Sequence, residues 1–268
     1  MILRNVTVGA DPELFIINEE TGKVVSAVGL IPGEKGNPYV ADDMPAGFGM
    51  ETDNIVAEFN IPPATTTEAF VNNIEYMKNY LDRFVKDINP ELGIKCSASE
   101  FVDEDQLQSP QAKLFGCDVD YNVYTEEPNP KPKGNSTNLR SCGFHIHLGY
   151  DNNNIDTSLL IVKYLDAFLG VPSVLLDNDK NRRSLYGKAG SFRLTPYGVE
   201  YRVLSSAMMS TTERISFTIN CVQNALKALS SGYSISSYTK LIISAINNSD
   251  AAIAQRLVNE LGIKVCVD

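Results

Sequence analysis

Alternation of ionisable and apolar residues over short segments most constrains the fold of this chain. Residues 142–150 alternate, and both histidines of the protein, His145 and His147, fall on the same side of the alternation. Successive side chains of a β-strand point to opposite faces, so the two imidazoles share one face of one strand. The pattern predicts a sheet that buries one face and presents ionisable groups on the other.

The same spacing recurs in three other predicted strands. Asp11 and Glu13 are two residues apart, as are Glu200 and Arg202, and Glu58 lies on the polar side of an alternating segment. One interpretation is the solvent face of an ordinary amphipathic sheet. Because carboxylates are poor strand residues and the pairs recur, we favour a divalent-cation site with arginine nearby for an anion. Carboxylate-rich ligation favours Mg²⁺ or Mn²⁺ over zinc.

The order of predicted elements indicates the fold class. Strands dominate the first third of the chain, where residues 6–9 and 13–18 form two short strands. A helix follows a capping-box pattern that begins at Thr65, and three helices broken near Gly232 and Asn247 end the chain. We expect an α+β fold, with a mostly antiparallel sheet backed by helices on one face. We expect residues 1–268 to form a single domain.

Composition excludes several classes of protein. The net charge of −10 argues against a nucleic-acid partner. Five cysteines without a CxxC motif suggest a reduced, cytoplasmic protein with no thiolate zinc site. We find no secretory signal and no run of about 18 apolar residues, and so expect no membrane partner. Oligomeric state stays open.

Two segments between the predicted strands carry further signals. The Gly- and Pro-rich residues 29–50 form a long loop, which is either a lid over a site or a mobile connector. Residues 181–193 contain four cations and two glycines, a composition suited to phosphate oxygens, although a solvated basic loop has the same composition. The chain has neither a P-loop nor a GxGxxG motif.

Five motifs, taken together and in order, resemble one enzyme superfamily. Residues 9–16 (GADPELFI) look like the first catalytic strand of glutamine synthetase, residues 141–147 like its Gly-x-His-x-His strand, and residues 199–202 like its late Glu-x-Arg strand. Residues 53–63 (DNIVAEFNIPP) and 116–122 (GCDVDYN), followed by Arg140, resemble the phage-type carboxylate-amine ligases, the COOH-NH2 ligase type 2 group.

The resemblance implies a fold and a reaction. It implies a glutamine-synthetase-like catalytic domain with a curved, mostly antiparallel sheet, in the cytoplasm of an infected host if the chain is phage-encoded. ATP would phosphorylate a carboxylate with the help of Mg²⁺ or Mn²⁺, and an amine would displace phosphate to form an amide. The carboxylate would belong to a small molecule, a peptide or a protein.

The resemblance also implies residue roles. The metal ligands would be Asp11, Glu13, Glu58, His145 and Glu200, with Glu51 as a further acidic candidate. The nucleotide would lie near His147, and its phosphates would be held by Arg183, Lys188, Arg193 and Arg202. The substrate end would comprise Arg140, Asp118, Asp120 and Asn122, and the catalytic cations would be Arg140, Arg193 and Arg202.

Two other functions remain open at this point. A guanidino kinase of the phosphagen type would share the fold and the metals but would yield a phosphorylated product and no amide. A catalytically inactive relative would bind nucleotide or metal without turnover. The intact set of acids, histidines and arginines favours the ligase.

Overall fold

The computed structural model describes residues 3–113, 120–130 and 137–265. Every strand pairing within these residues is antiparallel. The main sheet has nine strands, and helices accompany it throughout the second half of the chain. The predicted α+β class is confirmed.

The strands of the main sheet come from widely separated parts of the chain. Seven of them lie side by side in the order β3-β4-β1-β9-β11-β10-β7, while β2 and β5 extend the sheet beside the second half of β1. A separate pair is formed by β6 and β8. Their bounds are β1 Thr7–Asn18, β2 Val24–Val25, β3 Gly49–Asp53, β4 Val56–Asn60, β5 Leu92–Lys95, β6 Ser99–Phe101, β7 Tyr121–Asn122, β8 Leu139–Ser141, β9 Phe144–Gly149, β10 Ser191–Thr195 and β11 Gly198–Tyr201.

Strand β1 is continuous, so the predicted division into residues 6–9 and 13–18 was wrong. The strand changes neighbours along its length: it pairs with β9 up to Pro12 and with β4 from Glu13. Proline lacks an N–H, which weakens it as a ladder residue and suggests a break. Here Pro12 ends the ladder with β9 on one edge of β1, while β4 pairs with the other edge from Glu13, so the strand continues past the proline.

The helices are concentrated after β1–β4. The first, α1 (Thr67–Ile88), is capped by Thr66, whose hydroxyl accepts a hydrogen bond from the Ala69 N–H, so the cap lies one residue beyond the predicted Thr65. The three predicted C-terminal helices are confirmed. The remaining bounds are α2 Pro110–Lys113, α3 Ile155–Leu165, α4 Val171–Leu176, α5 Asn181–Leu185, α6 Thr212–Ser231, α7 Thr239–Asn247 and α8 Ala251–Glu260.

One face of the sheet is buried against helices. The apolar side chains of β9 and β11 join a large core together with residues of α1, α3 and α6. Phe70 of α1 stacks on Phe144 of β9, with ring centroids 6.4 Å apart. Because the apolar residues of each strand point to this face, the residues that alternate with them project from the opposite face of the sheet.

The opposite face is covered only in part. A smaller core forms there around Phe15, which is fully buried although it lies on the same side of β1 as Asp11 and Glu13. Val24, Val102 and Leu107 belong to this second cluster. The cluster closes one end of the polar face and leaves the carboxylates of β1 beside a cavity.

One helical stretch has the length and apolar composition of a membrane-spanning helix. Residues Ile155–Leu176 span 22 residues, and their most apolar window has a mean hydropathy of 1.8. Within this protein 72% of that window is buried. The stretch contains α3, a π-helical turn at Asp166–Gly170 and α4, and it contributes to the main core.

Candidate active site

The strand register assembles the polar face from five strands. Asp11 of β1 is opposite His145 of β9, and Glu13 of β1 is opposite Glu58 of β4. At the other side of β9, His147 is opposite Glu200 of β11. Arg193 of β10 is in turn opposite Glu200. All five residues predicted as metal ligands therefore lie on neighbouring strands of one sheet face.

A first group of ligating atoms is formed by Asp11, His147 and Glu200, with one atom of each lying within 4.8 Å of the others. Asp11 Oδ1 and His147 Nε2 are 3.0 Å apart, and both atoms are buried without a partner in hydrogen-bond geometry among the described residues. His147 Nδ1 lies 2.6 Å from the hydroxyl of Tyr197. A metal-bound imidazole commonly uses its second nitrogen in this way, which leaves Nε2 for a cation.

His145 lies beside this group. Its Nδ1 is 3.4 Å from Asp11 Oδ1 and 3.5 Å from Glu200 Oε1. On the other side of the ring, a Cβ at Gly143 would be 2.4 Å from Nε2, so glycine leaves the imidazole its space. His145 is thus near enough to serve as a further ligand, and the sequence assignment of His147 to the nucleotide alone leaves out its contact with Asp11.

The electrostatics of this group reflect its mixed charges. Burial alone would raise the pKa of Asp11, but the neighbouring His147 and His145 outweigh it and hold that pKa well below its usual range. Burial alone would lower the pKa of His147, yet the Asp11 carboxylate raises it overall. The two residues stabilise each other's charged forms, as expected of groups that meet without a bound cation.

A second group contains only carboxylates. One oxygen each of Glu13, Asp53 and Glu58 lies within 4.8 Å of the other two. Burial, followed by the charges of four neighbouring carboxylates, raises the pKa of Glu58 well above its usual range. Burial and the charge of Glu13 raise the pKa of Asp53. Oxygen-only ligation with an excess of negative charge suits Mg²⁺ or Mn²⁺, so the residues fit the expected metals.

Two contacts hold this second group in place. The backbone N–H of Gly143 donates to Glu13 Oε2 at 2.6 Å, which orients that carboxylate. Lys35, from the long loop before β3, contacts Asp53 Oδ2 at 2.8 Å. One lysine leaves the group with net negative charge.

Sequence reasoning missed Asp53 as a site residue and gave Glu51 a lesser place. The two are separated by one residue in β3, so they repeat the spacing seen in Asp11 and Glu13. Glu51 is opposite Glu58 in the ladder and accepts the Gly36 N–H at 3.1 Å. The available signal was therefore a further pair of acids two residues apart in a short strand.

Arginines border the first group. Arg193 Nε donates to Glu200 Oε2 at 2.5 Å, and the buried Arg202 also donates to Glu200. Burial alone would lower the pKa of Arg193, but the Glu200 carboxylate raises it overall. Both guanidinium groups thus lie at the metal group, where they are placed to hold an anion.

The substrate end predicted from sequence is assembled in part. Arg140 and Asp120 line one small cavity together with Glu13, Asp53, His145 and Arg202. The Arg140 guanidinium donates to the carbonyls of Thr137, Leu139 and Ala112. Asn122 uses its side chain in a turn, accepting from the Tyr124 N–H and donating to the Ala189 carbonyl. Asp118 lies outside the described residues.

The cations before β10 separate into two environments. Arg183 is buried in α5, donates to the carbonyls of Gly187 and Val203, and has its pKa lowered to about 10 by burial. Its neighbour Arg182 lines the small cavity instead. Lys188 is half-buried after α5, and burial lowers its pKa. The structure brings neither Arg183 nor Lys188 to the lining of that cavity.

Two cavities flank the carboxylates. The one lined by Arg140 and Asp120 has about 40 Å³ of free space, room for a few water molecules, so a substrate would have to displace side chains there. On the opposite side, a cavity of about 390 Å³ is lined by Gly9, Asp11, Pro63, His147 and Tyr197, among other residues. The larger cavity and the small one thus meet the same row of carboxylates from two directions.

Comparison with protein families supports the resemblance to carboxylate-amine ligases. Residues 134–252 match the family described as "Phage phiEco32-like COOH.NH2 ligase-type 2". The predicted resemblance to the type 2 carboxylate-amine ligases is confirmed. The segment of this chain that matches the family contains both histidines, Glu200 and Arg202. No curated protein matches the sequence.

The acids of β1, β3 and β4 lie outside the segment that matches the ligase family. The register of β1 with β9 nevertheless places Asp11 directly opposite His145. The carboxylates of the first 60 residues and the histidines of the matched segment therefore form one site.

Proposed function

We propose that the protein is an ATP-dependent carboxylate-amine ligase that forms an amide through an acyl phosphate. The observation that carries this proposal is the placement of two groups of metal-ligating atoms on one sheet face between two cavities. The family name supplies the substrate classes, a carboxylate and an amine. The use of ATP is proposed because groups of metal-ligating atoms lie beside arginines that can hold phosphate.

The larger cavity is suited to the base of the nucleotide. Its lining includes Tyr197, Pro63 and Ile61, which offer apolar surface to a flat ring, and it ends at Asp11 and His147. A base bound there would direct its phosphates along the sheet toward the carboxylates and Arg193. Divalent cations would be held by Asp11, His147 and Glu200 and by Glu13, Asp53 and Glu58, and would supply neutralisation of charge during phosphoryl transfer.

The chain's own residues would then support two steps. In the first, a substrate carboxylate oxygen attacks the γ-phosphorus of ATP, and ADP leaves with the electron pair of the broken P–O bond. Arg193 and Arg202, held at Glu200, would stabilise the charge on the transferred group. In the second, the amine attacks the acyl carbon, phosphate leaves and the amine loses a proton.

The small cavity is suited to the carboxylate and the amine. Arg140, Arg182 and Arg202 line it with positive charge, while Asp53 and Asp120 line it with negative charge. An ammonium group is held by carboxylates, and its deprotonation precedes attack on the acyl carbon. Asp120 is the better candidate for this contact, because Asp53 belongs to the metal group.

The test is ADP release from ATP with Mg²⁺ or Mn²⁺ across mixtures of acids and amines, with mass spectrometry of the products. A product lighter by one water than acid plus amine supports the ligase. A phosphorylated product without an amide would identify the kinase alternative. Absence of ATP binding at millimolar Mg²⁺ would refute both.

A variant of Gly9 tests the position of the nucleotide. A Cβ at Gly9 would meet its nearest neighbour, His147 Cβ, at 3.7 Å, which is ordinary contact distance. Gly9→Val therefore places its Cβ at ordinary contact distance and adds two methyl groups at the wall of the larger cavity. We expect ATP affinity to fall at least tenfold while Mg²⁺ affinity is kept. Exposed Ala252 in α8, which lines neither cavity, supplies the matched control as Ala252→Val.

A further inference from the structure

A buried carboxylate on the far side of the sheet links three segments of the site. Asp166 is fully buried and begins the π-helical turn between α3 and α4. Its Oδ1 accepts the hydroxyl of Tyr201 at 2.8 Å, and its Oδ2 accepts the hydroxyl of Tyr124 at 2.9 Å. π-helical turns inside helices often mark functional positions.

Each of the two donors belongs to a segment that carries or adjoins a site residue, and the segment of Tyr124 contacts Gly190. Tyr201 stands between Glu200 and Arg202 in β11, with its side chain on the opposite face. Tyr124 follows β7 and the segment of Asp120. Gly190 immediately precedes β10, the strand of Arg193. Tyr201, Tyr124 and Gly190 are therefore one to four residues away from residues that line or border the active site.

The attached segments are also joined to one another. The Val123 N–H donates to the Gly190 carbonyl at 2.9 Å, and the Asn122 side chain donates to the Ala189 carbonyl at 2.9 Å. A Cβ at Gly190 would lie 2.8 Å from the Tyr124 ring, so the two segments are in close contact. Movement of the Tyr124 segment would therefore break its bond to Asp166 and its bonds to residues 189–190.

A carboxylate suits this position better than an apolar or amide side chain. Its two oxygens accept the two tyrosine hydroxyls, one each, whereas an asparagine would bring an NH₂ group to one of them. Burying a carboxylate is costly, and an apolar residue would fill the same space in the core without that cost. The carboxyl group of Asp166 is thus explained by the segments that it holds and not by core packing.

We propose that Asp166 is a positioning residue, which sets the places of Asp120, Arg193 and Arg202 from behind the sheet. The inference rests on the proposed function for what those three residues do. It predicts that loss of the Asp166 contacts affects the binding of phosphates and substrate and leaves the metal-binding carboxylates of β1 and β4 unchanged.

The test compares two single hydroxyl deletions. Tyr124→Phe removes one bond to Asp166, and Tyr164→Phe removes a buried hydroxyl bond to the Tyr233 carbonyl in the same region of α3. Hydrogen exchange of residues 120–130 and 187–195 should be faster in the first variant only. Affinity for AMP-PNP with Mg²⁺ should fall about fivefold in the first variant only, the equivalent of one hydrogen bond. Mg²⁺ affinity should stay unchanged in both.

The outcomes separate the two proposals. Equal exchange rates and equal analogue affinity in both variants would overturn the role of Asp166. Asp166→Asn, which keeps the shape and one acceptor oxygen, should give the same directions as Tyr124→Phe and thereby guards against a tyrosine-specific effect. Absence of analogue binding by the unsubstituted protein would refute the proposed function, and the exchange rates alone would then decide whether Asp166 holds these segments.

Discussion

Replacement of Glu58 by glutamine should have opposite effects without and with metal. In the absence of metal, Glu58 faces Glu13 and Asp53 at short range, and burial together with these charges raises its pKa. The folded protein therefore binds a proton at Glu58 more tightly than the unfolded chain does. As pH rises above the ordinary value of 4.5 and through the folded-state pKa, ionisation of Glu58 lowers the stability of the metal-free protein.

The magnitude follows from the geometry. At the separation of 4.8 Å that bounds the group, two carboxylates repel by about 3 kcal/mol at an effective dielectric constant of about 20. In the unsubstituted protein, Glu58 relieves part of this repulsion by binding a proton, so the substitution gains less than the full amount. We therefore expect Glu58→Gln to raise the metal-free unfolding free energy by about 1–2 kcal/mol at pH 8. For a chain of this size the melting temperature should rise by about 3–6 °C.

Metal should reverse the order of the two melting temperatures. Mg²⁺ at 100 times its Kd adds about 2.7 kcal/mol to a protein that binds it only when folded, and Glu58→Gln removes one ligand from that site. The unsubstituted protein should therefore melt above the variant in Mg²⁺ and below it in EDTA. Differential scanning calorimetry at pH 5 and pH 8, with and without Mg²⁺, measures both effects. The difference between the metal-free proteins should be smaller at pH 5.

A matched control is Glu20→Gln, which removes an exposed carboxylate from the turn after β1. It should leave the melting temperature and the Mg²⁺ response unchanged. If Glu58→Gln lowered the metal-free melting temperature at pH 8, or if Mg²⁺ stabilised the variant as much as the unsubstituted protein, Glu58 would not belong to a repulsive, metal-binding group.

Three further variants test individual contacts. Gly143→Ala should lower the unfolding free energy by about 1–3 kcal/mol and weaken Mn²⁺ binding in electron paramagnetic resonance, because its Cβ would lie 2.4 Å from His145 Nε2. Lys35→Met should tighten Mg²⁺ binding about threefold in calorimetry, because it removes a cation 2.8 Å from Asp53; weaker binding would contradict this. Tyr197→Phe should weaken Mn²⁺ binding about tenfold, because its hydroxyl lies 2.6 Å from the imidazole Nδ1; unchanged affinity would remove that imidazole from the ligands.

The sequence predicted which residues share a face but not which strands are neighbours. A spacing of two residues shows that Asp11 and Glu13 project together, whatever the surrounding fold. That Glu13 meets Glu58, and Asp11 meets His145, depends on pairings between segments as much as 134 residues apart, from Asp11 to His145. Such pairings are set by the whole sheet, and short-range periodicity carries no information about them.

The basic segment, residues 181–193, shows a second limit of prediction from sequence. As a loop, it offered no reason to distinguish Arg182 from Arg183. The structure makes it the short helix α5, in which consecutive residues point about 100° apart. Arg182 lines the small cavity and Arg183 does not, although both guanidinium groups donate to the Val203 carbonyl. Without the helical assignment, the order of the two arginines along the chain could not tell which one faces the site.

The pairing of β1 with β9 is the step on which the whole site depends. Asp11 and Glu13 come from the first strand, whereas His145 and His147 come from the segment that matches the ligase family. A shift of this pairing by one residue would turn Asp11 and Glu13 into the apolar core. The buried residues that alternate with them, such as Leu14, oppose that shift. The apolar face of β1 thereby fixes the register that brings the carboxylates to the histidines, so core packing and the candidate site are specified by the same strand.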